Sequence, residues 1–130
     1  MSINEFLIIN SMGLTLFKFP PDEDLNTEIK SGFFSAIQSF AKTFVDENKE
    51  KYQSVIRIGD FNYNFLCNQL YDIYFILKSA NRDKEKNIND YLRKIEELFI
   101  EEFRMDLIAF DGDTSIFKRF KKILTKFLEK

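Results

Sequence analysis

FLIINSMGLTLFKF, residues 6–19, decides how this chain is read. Phe6 to Ile9 is apolar at every position, which suits a central strand covered on both faces. Ser11-Met12-Gly13 reads as a turn, because glycine takes a positive φ without a Cβ clash. From Leu14 the chain alternates, Leu14 and Leu16 set against Thr15, at the period of a strand. The two strands make a hairpin, and Pro20-Pro21 ends it because proline brings no N–H to a ladder.

Working outward, Asp22-Glu23-Asp24 places three carboxylates where a helix N-terminus favours negative charge. Ile29, Phe33, Ala36, Ile37, Phe40 and Phe44 then recur at helical spacing and define one apolar face. Gly32 interrupts that helix at a propensity cost of about 1 kcal/mol against alanine, which close approach to a sheet would justify. Glu47 to Gln53 reads as a loop. Ser54 to Ile58 reads as a strand, followed by a turn at Gly59-Asp60. Phe61, Tyr63 and Phe65 alternate with Asn62 and Asn64, the pattern of a half-buried strand. After a turn at Asn68-Gln69, Ile73 to Leu77 supplies a fifth strand. Asn81 to Asn87 is a charged connection. Ile88, Tyr91, Leu92, Ile95, Leu98, Phe99 and Phe103 mark a second helix. Asp111-Gly112-Asp113 breaks the chain, and Ile116, Phe117, Phe120, Ile123, Leu124, Phe127 and Leu128 mark a last helix.

The 130 residues suit a single domain spanning 1–130, without repeats or low-complexity segments. Sixteen phenylalanines and no tryptophan predict an aromatic core. The net charge of −2 hides an asymmetry: residues 115–130 carry +5 and residues 1–114 carry −7. A basic tail on an acidic body suits an acidic partner, an anionic membrane or the chain's own acidic surface. Cys67 is the one cysteine, which excludes a disulfide framework and points to a reducing, cytoplasmic compartment. No run approaches the roughly 20 apolar residues of a spanning helix, and no signal-peptide or lipidation pattern is read at either end.

The order β-β-α-β-β-β-α-α resembles that of the longin family, and the fold class expected is α+β. The expected architecture is a five-stranded antiparallel sheet with one helix on one face and two on the other. Phe6 to Phe17 is similar to that family's opening hairpin, in which an apolar strand meets a turn glycine and continues as Leu-x-Leu-Phe. Ser31 to Phe40 resembles the first helix of longin-like proteins from archaea related to the eukaryotic lineage. A roadblock domain has a similar sheet but usually begins with a helix. The resemblance implies a non-enzymatic protein-interaction module of the membrane-trafficking kind. Its implied partners are a small Ras-like GTPase or another longin or roadblock subunit, with homodimerisation in reach. It implies no cofactor and no catalytic residue.

The candidate contact residues are Lys118, Arg119, Lys121, Lys122 and Lys126, opposite an apolar stripe of Phe117, Phe120, Ile123, Leu124 and Phe127. A basic amphipathic helix can dock an acidic groove or lie on an anionic membrane, so a peripheral membrane adaptor is the alternative function. The simpler account is a core helix with a solvated basic face. Asp111 to Ser115 faintly suggests a calcium loop but lacks its later ligands, and a helix N-cap explains it better. Glu96, Glu97, Glu101 and Glu102 read as a solvated helix face. Cys67 reads as a structural thiol. A ligand sensor with a pocket between sheet and helix finds too few converging polar groups. Nucleic-acid binding is not expected, because no Lys or Arg interleaves Phe61, Tyr63 and Phe65.

Overall fold

The structure, a computed structural model, describes residues 5–10, 12–19, 51–58, 60–80 and 85–129. Strands β1 (Glu5–Asn10), β2 (Thr15–Phe19), β3 (Lys51–Ile58), β4 (Phe61–Asn68) and β5 (Ile73–Ala80) form one sheet in the order β2-β1-β5-β4-β3. Every neighbouring pair is antiparallel. Helix α1 spans Glu85–Ile108, a 3-10 turn spans Thr114–Arg119, and helix α2 spans Phe120–Leu128.

This corrects the expected architecture of five regular strands and three helices, because the regular body of the sheet is four-stranded and two helices accompany it among the described residues. The four strands β1-β5-β4-β3 run with unbroken registers and form the regular body of the sheet. Strand β2 is a five-residue edge whose register with β1 slips between Ile8 and Ile9. Two helices accompany the sheet among the described residues. The helix expected from Ile29, Phe33, Ala36, Ile37, Phe40 and Phe44 lies outside the described residues. The expected last helix divides instead, because Asp113 caps a tight 3-10 turn by accepting from the Ser115 N–H at 3.0 Å. Apolar spacing alone does not separate a 3-10 start from an α-helix, since both repeat near three residues.

Asn10 explains the slip in β2. Its Oδ1 accepts from the N–H groups of Met12 and Leu14, both at 3.0 Å. That side chain draws the turn inward, and Gly13 takes φ +83° within it. Leu14, expected in the strand, is left outside it and 38% exposed.

Polar residues also lengthen the elements beyond their apolar cores. Gln53, expected in a loop, lies in β3, where its amide donates to the Asn89 carbonyl at 3.2 Å and accepts from Arg93 Nε at 2.9 Å. Strand β5 continues past Leu77 through Lys78 and the buried Ser79. Strand β4 is not half-buried: Tyr63 to Asn68 is buried at every position. Asn64 belongs to this interior because its amide donates to the Leu77 carbonyl at 3.1 Å and to Ser79 Oγ at 2.9 Å. A buried amide so satisfied avoids most of its desolvation cost.

Both described helices pack on the sheet face that carries Phe6, Ile8, Leu66, Phe75 and Leu77. Phe99 of α1 is the hub. Its ring lies 5.8 Å from Phe75, 4.8 Å from Phe103, 5.5 Å from Phe117 and 5.1 Å from Phe120. Phe120 in turn meets Phe17 of β2 edge-on at 5.2 Å. Each buried ring removes roughly 1.5–3 kcal/mol worth of apolar surface from water. Leu7, Ile9, Phe65, Tyr74 and Ile76 are buried on the opposite face.

Candidate docking face

The last fifteen described residues carry two opposed surfaces. Phe117, Phe120 and Leu124 are fully buried, and Ile116, Ile123, Phe127 and Leu128 pack beside them. Phe127 also meets Tyr91 of α1 at 5.4 Å. The apolar stripe of α2 is therefore committed to the core. Lys118, Arg119, Lys121, Lys122 and Lys126 are all exposed on the other side.

The structure separates these five cations. Arg119 is a latch between the 3-10 turn and α1. Its Nε donates to Glu102 Oε1 at 3.0 Å, its second nitrogen donates to Asp106 Oδ2 at 3.3 Å, and its guanidinium lies 4.6 Å from the centre of the Phe103 ring. A planar fork suits that bridging, which a lysine point charge would not reproduce. Lys118 contributes to the field at Asp113, whose carboxyl is held below its ordinary value, chiefly by hydrogen bonds from Ser115. Lys121, Lys122 and Lys126 form no ion pair among the described residues. Lys122 and Lys126 stand four residues apart on α2, a like-charge spacing that costs a helix roughly 0.2–0.5 kcal/mol per pair. The sequence grouped Arg119 with the lysines. The signal that sets it apart is the four-residue spacing of Glu102 and Asp106 on α1.

On the other flank of α1 an open cleft of about 500 Å³ lies against the β4–β5 turn. Leu70, Tyr71, Glu96, Glu97, Glu101 and Arg104 line it, with three carboxylates to one cation. The turn is held by Asn68, whose Oδ1 accepts from the Tyr71 N–H at 3.1 Å while its amide donates to Glu96 Oε2 at 3.0 Å. Asp72 closes it at φ +57°, a left-handed conformation that Asp tolerates better than most residues. Leu70 consequently stands 71% exposed at the cleft's edge. Glu96 was expected on a solvated helix face and is only 2% exposed. Its position four residues after Leu92 and three before Phe99 places it on the core stripe, a signal the sequence does contain.

A smaller cavity of about 10 Å³ lies on the opposite sheet face among Glu5, Lys18, Tyr63 and Lys78. This is the space of about one water and does not fit an organic ligand. Lys78 reaches Glu5 at 3.5 Å and lies 4.2 Å over the Phe61 ring. Burial pushes the Tyr63 phenol above its ordinary value. Burial also pushes the Cys67 thiol and its cross-strand neighbour Tyr74 up to about 12 each. At neutral pH such a thiol is protonated and a poor nucleophile or metal ligand. Among the described residues no group of three or more Asp, Glu or Cys converges on a metal-sized point, and no helix is long and apolar enough to cross a membrane.

No protein-family model and no curated protein matches this chain.

Proposed function

We propose that this chain is a non-enzymatic protein-interaction module that docks an acidic partner surface through the basic face of α2. The observation that supports this reading is the division of labour on that helix. The aromatic stripe is buried, while Lys121, Lys122 and Lys126 point outward with no counter-charge among the described residues. The helix dipole favours a cation at Lys126 in the last turn, but Lys121 and Lys122 stand in the first turn, where it disfavours them, so helix stability does not account for that pair. An incoming acidic surface gains steering and complementarity from the same row.

The partner class is the one that the longin resemblance implies: a small Ras-like GTPase, or another longin or roadblock subunit, in a cytoplasmic compartment. A pull-down with tagged protein, in GDP and in a non-hydrolysable GTP analogue, tests this. The reading expects a nucleotide-dependent GTPase, or a longin or roadblock chain, that is lost when Lys121, Lys122 and Lys126 are changed to Glu. Recovery of the same proteins by both forms removes it.

The competing reading is a peripheral membrane adaptor. An amphipathic helix binds a bilayer by sinking its apolar face into the interface. Here Phe117, Phe120 and Leu124 are already buried, which leaves only charge for adsorption. Sedimentation with anionic vesicles distinguishes the two: salt-resistant binding supports the adaptor.

A further inference from the structure

We propose that the outer surface of the helical layer is a homodimer interface, in which the lysine face of α2 from one copy seats against the acidic cleft of a second copy, and reciprocally. This rests on the reading of that lysine face as a docking surface and names a specific occupant for it.

Helix α1 sets the geometry. Glu96, Ile100 and Arg104 follow one another at four-residue steps along the flank that borders the cleft. Glu102 and Asp106 lie four residues apart on the other flank, where Arg119 ties down the turn leading into α2. At 3.6 residues per turn, Glu97, Glu101, Met105 and Ile108 fall between these flanks on the outward ridge. The acidic cleft and the lysine face thus border one exposed ridge on either side.

Two observations favour a second copy as the occupant. The two patches are opposite in charge and lie on one layer of one chain. Met105 and Ile108 on the ridge are 72% and 65% exposed, and Leu70 at the cleft is 71% exposed, so large apolar side chains stand in the open where the copies would meet. An acidic partner of another kind would cover the lysines and leave the cleft and these side chains bare. A two-fold pairing covers all of them, because each copy offers its lysines to the other's cleft and the contact closes on itself. The cost of the lysine row in the isolated chain is then offset across the interface.

Sedimentation velocity of the full chain at about 50 mM and about 500 mM salt tests this, since screening weakens exposed charge pairs over that range. A dimer at low salt that dissociates at high salt is expected. Two charge-reversed forms complete the test: Lys121→Glu with Lys122→Glu, and Glu97→Lys with Glu101→Lys. All four positions are exposed, and the one ion pair given up among the described residues, Lys94 with Glu97 at 3.6 Å, is a surface pair, so each form is expected to fold with only a small fall in unfolding midpoint. Each alone is expected to be monomeric, and an equimolar mixture is expected to regain the dimer, because the reversed charges match between copies. A monomer at low salt, a dimer that ignores either reversal, or a mixture that stays monomeric overturns the proposal. If the chain is monomeric but still captures a GTPase through its lysines, the dimer falls and the interaction-module reading stands.

Discussion

Asn64 sits in the middle of β4, a position that its neighbours Tyr63 and Phe65 assign to solvent by alternation. The structure buries it because Ser79 and the Leu77 carbonyl lie within reach across the strand. Asn64→Ala removes the donor, leaves Ser79 Oγ without it in a dry interior, and is expected to lower stability by about 1–3 kcal/mol. Gln69→Ala, in an exposed turn, is expected to stay within about 0.5 kcal/mol. Denaturant unfolding with an unchanged m-value checks both. Cys67 gives a second prediction at this scale. With its thiol at about 12, a fraction on the order of 10⁻⁴ is thiolate near pH 8, so a disulfide reagent is expected to modify it only on unfolding. Cys67 and Tyr74 also hold their protons more tightly folded than unfolded. The stability they contribute is fully present below their ordinary values of 9.0 and 10.0 and is lost as pH rises through about 12. Unfolding midpoints are therefore expected to begin falling above about pH 9, and less so in Cys67→Ala than in the parent. Period-2 alternation made β4 legible as a strand. It did not report Asn64, because a buried amide is decided by a partner on another strand.

At the scale of elements, the helical layer is held from Phe99 outward. Phe120 joins that hub to β2, and Phe120→Ala is expected to cost about 3–5 kcal/mol, as truncation of a buried ring does. Lys122→Ala, on the opposite side of the same helix, is expected to be neutral or to stabilise by roughly 0.2–0.5 kcal/mol, because it removes a like-charge neighbour of Lys126. Thermal unfolding of the two variants measures the contrast. A large loss in Lys122→Ala would mean that the lysine holds the fold and does not serve docking. The apolar stripe Phe117-Phe120-Leu124 was legible from spacing alone. The 3-10 start at Thr114 and the slip in β2 were not, because Asp113 and Asn10 set them through local side-chain hydrogen bonds that hydrophobic periodicity does not carry. Period identifies an amphipathic stretch, and the elements it becomes depend on caps, turns and partners.

At the scale of the molecule, the charge split between residues 1–114 and 115–130 was readable at once. Where the two signs meet was not. The cleft joins Leu70 and Tyr71 of a turn to α1 residues far along the chain, and Arg119 leaves the basic face by pairing with α1. What remains outward is a lysine face beside an exposed ridge, an arrangement suited to meeting another surface. The measurement that tests this most directly is the comparative pull-down, in GDP and in a non-hydrolysable GTP analogue, with the parent chain and with Lys121, Lys122 and Lys126 changed to Glu. The account predicts a nucleotide-dependent GTPase, or a longin or roadblock chain, that the parent captures and the equally stable variant loses. Capture of the same proteins by both, or of none by either, would contradict it.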